Sequence, residues 1–278
     1  MKKFFRYINS EVLVKAAGLN TANISIKIIS GILISKFVAI FIGPEGMALI
    51  GNLRNFLSAI KSIAIAGLYD GVVKFISRTK TNVAQLTKAL STVFYSGFFS
   101  SVFLGFICFY NAQYINDLIF LNNNYTYVIE ILAIVLPFYA LNMFLFSIMN
   151  GFSKYRILLV INIIGQILGL LVTMLLIWRD NIDGALIAVV ITPALNLLIT
   201  FVGIAFRKNF APLIEITKVD FSVLKDLSPN MILALVSSIA IPVVLIMIRN
   251  YIIAEIGIKE AGYWEAVNRV AEYYLMCI

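Results

Sequence analysis

The chain has 278 residues, 61% of them hydrophobic and 13% charged, with a mean hydropathy of +0.96. A soluble domain is about half apolar and about a quarter charged, so this composition excludes an ordinary soluble protein and points to a bilayer as the solvent for its surface. The formal charge is +8, from 22 Lys and Arg against 14 Asp and Glu; with no nucleic-acid motif beside it, this excess reads as the basic bias of cytoplasmic loops, and nucleic acid is not an expected partner.

Crossing a ~30 Å hydrocarbon core takes about 20 mostly apolar residues. Eight apolar segments meet or approach that length: residues 12–42, 47–73, 89–110, 127–150, 157–178, 185–206, 231–254, and one that begins near Ala261 and still runs at Ile278. The fold class expected is all-α, a polytopic bundle of transmembrane helices. Most connections are short. Residues 111–126 carry the polar turn signal Asn122-Asn-Asn124 and read as a loop. Residues 207–228 are mixed, with Phe221, Leu224 and Leu227 at helical spacing, which suits either a surface-lying linker or a solvated loop. The basic N-terminus lacks the short apolar core and cleavage site of a signal peptide.

Loop charges orient the chain. With the N-terminus inside, inner loops hold thirteen Lys and Arg, and outer loops hold only Arg179 and Lys259. That bias places the N-terminus in the cytoplasm.

A repeat joins the two ends. Gly46-Met-Ala-Leu-Ile-Gly-Asn52 matches Gly262-Tyr-Trp-Glu-Ala-Val-Asn268, at an offset of 262 − 46 = 216 residues. Both blocks follow an outer loop and open an even-numbered segment. A six-helix unit that restarts at segment seven fits this spacing. The expected organisation is a first lobe over residues 1–206, a cytoplasmic linker over 207–228, and the first two helices of a second, truncated lobe over 229–278.

Seven cations fall within the segments: Lys15, Lys27, Lys36, Arg54, Lys61, Arg249 and Arg269. A charge at the bilayer centre costs about 3 kcal/mol on insertion scales and normally faces a cavity or a partner, unless it snorkels to the interface. Arg54 and Lys61 are seven apart and share a helix face. Asp70 and Lys74, four apart, form a plausible pair. Asp70 and Glu265 stand as either ion-coupling residues or members of structural pairs. Arg249 offers phosphate a fixed charge and a planar fork. A pump for cationic drugs needs carboxylates in its cavity, so a cationic interior implies an anionic passenger. Asn142, Asn162, Gln166 and Asn196 read as interhelical glue. Pro137, Pro193 and Pro242 lie inside segments, where packing explains them as well as kinking does.

With no histidine, zinc sites, catalytic triads and histidine proton relays are not expected. Cys108 and Cys277 lie in apolar runs and read as small hydrophobes. No phosphate loop, dinucleotide fingerprint or nucleophile elbow is present. No enzyme activity, metal or cofactor is expected.

Three stretches, Ser35-Lys-Phe-Val-Ala-Ile-Phe-Ile-Gly-Pro-Glu-Gly-Met-Ala-Leu-Ile-Gly-Asn-Leu-Arg54, Gly67-Leu-Tyr-Asp-Gly-Val-Val-Lys74 and Ile241-Pro-Val-Val-Leu-Ile-Met-Ile-Arg249, resemble the Wzx-type translocases of lipid-linked oligosaccharides. These belong to the multidrug/oligosaccharidyl-lipid/polysaccharide exporter superfamily; the O-antigen and enterobacterial common antigen flippases are the nearest group. The resemblance implies a two-lobed exporter fold of twelve helices, of which this chain would lack the last four. It implies alternating access, a multi-pass protein of the bacterial inner membrane, and undecaprenyl-pyrophosphate-linked oligosaccharide as substrate. Membrane lipids and the polysaccharide polymerase and chain-length machinery are implied partners. Carried over residue by residue, it implies pyrophosphate contacts at Arg54, Arg249, Lys36 and Lys74, and Tyr69 and Trp264 are candidates for stacking on sugars. Two other readings stay open: a drug/cation antiporter of the same fold, and a non-transporting membrane scaffold or gene fragment.

Overall fold

The computed structural model describes the backbone of residues 2–65, 68–79, 83–121, 123–205 and 222–276, and the side chains of 18–65, 71–76, 84–121, 123–203 and 235–276. The side chains of Tyr69 and Asp70, residue Cys277 and positions 207–221 of the expected linker lie outside the described residues. Among the described residues every regular element is an α-helix: α1 Lys2–Phe41, α2 Pro44–Ile65, α3 Leu68–Thr79, α4 Val83–Tyr110, α5 Ala112–Phe120, α6 Thr126–Gly151, α7 Tyr155–Ala205, α8 Ser222–Glu255 and α9 Ile258–Leu275.

Five helical stretches are long and apolar enough to cross a membrane: Gly18–Phe41, Ala84–Tyr110, Thr126–Gly151, Tyr155–Gly203 and Leu235–Glu255. The chain is a multi-pass membrane protein. The stretch within α7 holds two of the expected segments, because the helix doubles back where Asp180 and Asn181 leave helical geometry. Asn181 adopts φ 48°, a region that asparagine enters more readily than most residues. The two limbs then pack closely enough for Gly184 to meet the carbonyl of Leu176.

α2 is the centre of the bundle. Eight consecutive residues, Gly46 to Leu53, are buried. A helix buried on all sides at one end has neighbours all round it, and α2 packs chiefly on α8 and α9, with α4, α5, α6 and α7 completing its surround. Its core contacts come from Leu49, Ile50, Leu53 and Leu57, set against Ile119 and Phe120 of α5, Ile129, Leu132 and Leu136 of α6, and Leu186 of α7. A second cluster joins Val72 and Ile76 of α3, Leu86 and Leu90 of α4, and Phe144 and Ile148 of α6. Buried polar pairs tie the outer ring. Thr200 Oγ1 donates to Asn142 Oδ1 at 2.7 Å, and Gln166 Nε2 donates to Asn23 Oδ1 at 3.0 Å.

The structure departs from the sequence expectations in three places. The apolar stretch 47–73 is two helices, α2 and α3. The expected loop 111–126 contains α5, whose Ile119 and Phe120 are fully buried. Its polar residues serve the turn instead: the buried Asn116 accepts from the Tyr125 backbone N–H at 2.7 Å and donates to the Asn123 carbonyl at 3.0 Å, replacing bonds that a helix would make. The backbone is helical from Ser222, well before the expected start at 231.

The α1–α2 and α8–α9 turns are built alike. The Ile42 and Gly43 N–H groups both donate to the Val38 carbonyl; the Ile256 and Gly257 N–H groups both donate to that of Ile252. Met47 N–H then bonds Gly43, as Ala261 N–H bonds Gly257. Each pair is 257 − 43 = 214 residues apart, so the register of the two hairpins is two residues shorter than the 216 read from the sequence match. Both glycines have positive φ, 84° at Gly43 and 146° at Gly257. A Cβ at Gly43 would meet nothing within 4 Å, so Gly43→Ala isolates the conformational cost, about 1–2 kcal/mol. Gly257 lies in a region almost confined to glycine. Thermal unfolding in detergent is expected to show a lowered midpoint for Gly43→Ala and a larger drop for Gly257→Ala; wild-type midpoints for both would contradict this account of the turns.

Candidate functional site

The hairpin α8–α9 brings the C-terminal half of α8 beside the first three turns of α9, and α2 packs against both. Arg249 of α8 points into that three-helix junction. It is 0% exposed and the largest fully buried side chain among the described residues. Its Nη2 pairs with the Glu265 carboxylate of α9, itself 5% exposed. Its Nη1 donates to Asn52 Oδ1 of α2 at 2.6 Å. The Asn55 amide oxygen, turned toward the guanidinium, accepts from Nη2 at 3.2 Å and Nη1 at 3.3 Å. Trp264 lies under the same guanidinium, 5.3 Å from its ring centroid. Only Nε is left without a partner.

The cluster extends in both directions. Asn52 Nδ2 donates to the Ile119 carbonyl and to Asn250 Oδ1, each at 2.8 Å, and Asn250 Nδ2 donates to the Leu118 carbonyl at 2.9 Å. These bonds carry the network into the C-terminal end of α5, where helix carbonyls have no partner within the helix. On the other side Arg269 Nε donates to Glu265 Oε1 at 3.2 Å, and its Nη1 reaches the Tyr273 hydroxyl at 3.3 Å. One buried carboxylate therefore serves two arginines. In lipid such groups have no water to fall back on, so each must find its bonds inside the protein.

The contact is tight because of Gly51. A Cβ there would sit 2.6 Å from the Glu265 carboxyl carbon and 2.9 Å from Arg249 Cζ. Gly51 and Glu265 are themselves 214 residues apart. So are Glu45 and Lys259, whose carboxylate and ammonium approach to 3.9 Å beside the two hairpin turns. Equivalent positions of the two hairpins thus meet each other, the contact pattern of a local two-fold axis between α2 and α9.

Of the four cations expected to touch pyrophosphate, only Arg249 is in this cluster, and it is already ligated. Arg54 is half-buried on α2, while Lys36 and Lys74 are exposed on α1 and α3. Glu265 is paired with both Arg249 and Arg269. Trp264 is engaged by Arg249 rather than standing free. Lys61 does not snorkel but turns into the bundle, with its ammonium 4.3 Å from the Tyr139 ring centroid. The spacing from Arg54 was the available signal. One turn further along α2, Ile65 helps line an apolar cleft with Val72, Phe94, Phe98, Phe144 and Ser147.

Residues 37–278 match the family described as "Polysaccharide biosynthesis protein". The chain belongs to that family. It is similar to the lipid III flippases of Escherichia coli (strain K12) and Shigella flexneri, 28% identical over 269 residues in each case, which covers 96% of this chain and 64% of the relative. The chain thus spans less than two-thirds of the length of these curated relatives. Among solved structures it is similar to the MATE multidrug transporter DinF-BH in complex with R6G, with a TM-score of 0.73 and 17% identity over 96% of this chain and 61% of that one. It is also similar to an inward-facing MATE family transporter of the MOP superfamily, with a TM-score of 0.61 and 17% identity over 87% of this chain and 57% of that one. At such identities the likeness is one of fold: this member of the polysaccharide biosynthesis family is built on the MATE transporter architecture.

The two pairings of Glu265 differ in what their loss leaves behind. Glu265→Gln strands a buried guanidinium, which costs about 3–5 kcal/mol. Arg269→Gln leaves Glu265 still held by Arg249 and costs about 1–2 kcal/mol. Unfolding in detergent by denaturant is expected to rank the two variants in that order; equal losses would show that Arg249 does not depend on Glu265.

Proposed function

We propose that this protein moves a lipid-linked oligosaccharide, carried on a polyprenyl pyrophosphate such as undecaprenyl pyrophosphate, from the inner to the outer leaflet of a bacterial inner membrane. The observation that carries this reading is the sign of the interior charge. Arg54, Lys61, Arg249 and Arg269, each buried or half-buried, all belong to α2, α8 and α9, the helices that pack on one another, and by the same measure the described carboxylates there are Glu265 and Glu272, four cations against two anions. An interior that is net cationic suits an anion. Family membership and the similarity to lipid III flippases support a saccharide carried on a lipid.

The chemistry divides between the two halves of α2. Its outer half is closed against α8 and α9. Its inner half carries Arg54, Ser58, Lys61 and Ser62 on surfaces left partly open. A basic side chain one turn from an apolar cleft offers a phosphate and the start of a hydrocarbon chain adjacent places to rest. Arg54 is the first pyrophosphate ligand in this reading, with Lys36 and Lys74 at the cavity edge and Arg249 available once the outer half opens. Residues 1–206 then act as one lobe and 229–278 as part of a second, joined by 207–228 on the cytoplasmic side with the N-terminus. Transport proceeds by alternating access between the lobes. A polymerase and its chain-length machinery are the partners that use the flipped unit. Asp70 is assigned to pairing with Lys74 rather than to ion coupling.

A charge-assisted hydrogen bond is worth about 1.5–3 kcal/mol. Arg54→Ala is therefore expected to cut transport about 10- to 100-fold, read as failure to restore surface glycan in a flippase-null strain at normal protein level. Full surface glycan in that strain would contradict the assignment.

A further inference from the structure

We infer that Asn52 and Gly51 form a lock that seals the outer side of the transport path, with Asn52 positioning Arg249 for as long as the seal is closed. The inference rests on the transport reading for its purpose, but the lock is a property of the geometry alone.

The bonds sort by which hairpin they belong to. Arg249, Asn250, Trp264, Glu265 and Arg269 are all on α8–α9. The ion pairs among them stay intact however α8–α9 moves as a unit. Inside the rim, where the exposed Glu45–Lys259 pair spans α2 and α9, every hydrogen bond among the described residues that crosses to α2 or α5 ends on an asparagine. Asn52 accepts from Arg249 at 2.6 Å and donates to Asn250 at 2.8 Å; Asn250 donates to the Leu118 carbonyl at 2.9 Å; Asn55 accepts from both terminal nitrogens of Arg249. The seam is thus held by neutral amides around a charge that is neutralised on its own side. When the seam opens to water, amides and a guanidinium already paired with Glu265 can rebond to solvent. A buried ion pair across the seam would not release so readily.

Gly51 sets how near the two sides come. It faces the Glu265 carboxyl and the Arg249 guanidinium at distances that no Cβ tolerates. The groups on the far side of that contact are the ends of the Arg249 and Glu265 side chains, held by their bonds to each other, to Asn52 and to Arg269. A larger residue at position 51 must either break up that pair or push α2 away from α8–α9. Toward the outside, Gly262 packs on the Pro44 carbonyl, and the Glu45–Lys259 pair closes the rim. When the seam parts, Asn52 and Asn55 leave the guanidinium, which then faces the space between the hairpins with Glu265 still attached.

The rim pair supplies a reporter that needs no substrate. In protein with Cys108 and Cys277 replaced by alanine, Glu45→Cys and Lys259→Cys are joined by a short bismaleimide in native membranes. The lock predicts efficient cross-linking in this parent and at least a five-fold loss on adding Gly51→Val or Asn52→Ala. It also predicts that the buried Ala48, replaced by cysteine as a single reporter, gains labelling by a membrane-impermeant maleimide in both variants. Asn52→Ala removes bonds without adding bulk, so it decides the matter if Gly51→Val does not accumulate. Undiminished cross-linking and unchanged labelling in Asn52→Ala overturn the lock. If the lock opens as described while the wild-type protein fails to restore glycan in flippase-null cells, the lock stands and the transport reading falls.

Discussion

Burying the Arg249 guanidinium is the constraint from which the rest of the architecture follows. A charge in that position needs a counter-ion and a full set of acceptors, and the bilayer supplies neither. Glu265 provides the charge, Asn52 and Asn55 the acceptors, and Trp264 a face for the flat cation. To gather them, α2 must run between α8 and α9 with its N-terminal half enclosed. Two of the three helices that carry these groups, α2 and α9, are absent from the five stretches that composition alone marks as spanning, whereas α8, which carries Arg249, is among them. The strongly apolar helices α4 and α7 expose Phe, Leu and Ile side chains that lipid accepts, while α6 is half-buried between them.

In the proposed carrier of anions, the same arrangement separates two jobs that cations must perform. Charge must be present for the passenger and must be silent when no passenger is bound. In this structure silence is achieved within one hairpin, by Glu265 between Arg249 and Arg269. The joint between hairpins is left to asparagine amides, a glycine contact and one exposed ion pair at the rim, Glu45–Lys259. Strong interactions lie where parts move together, and weak, replaceable ones lie where parts must separate. Alternating access requires that division, because a shift between two states is driven only by differences in what each state binds.

Much of this was legible in the sequence, for physical reasons that vary by element. Spanning helices announce themselves because lipid tolerates few charges over about 20 residues. The breaks at Gly43 and Gly257 follow from backbone shapes that glycine alone enters easily. The α5 helix was hidden because Asn111, Asn116 and the run 122–124 look like loop, whereas Asn116 is buried and closes the turn from inside. The hairpin register was read two residues long because like side chains, Gly46 and Gly262, were matched, whereas the turns align Gly43 with Gly257. The interior cations could be counted but not sorted. Arg249 finds one partner 16 residues away and another 197 away, and no local pattern holds that information. Lys61 is the converse case, since its spacing from Arg54 pointed inward while its length allowed snorkelling; packing against Tyr139 decides between them.

The central claim is that a cationic interior carries an anionic lipid across the membrane. The most direct measurement is the amount and leaflet of lipid-linked oligosaccharide in cells depleted of this protein. The account predicts that a polyprenyl-pyrophosphate-linked unit accumulates in the inner leaflet, protected from membrane-impermeant glycan reagents, while surface polymer falls. Unchanged levels of that intermediate, with normal surface polymer, would contradict it.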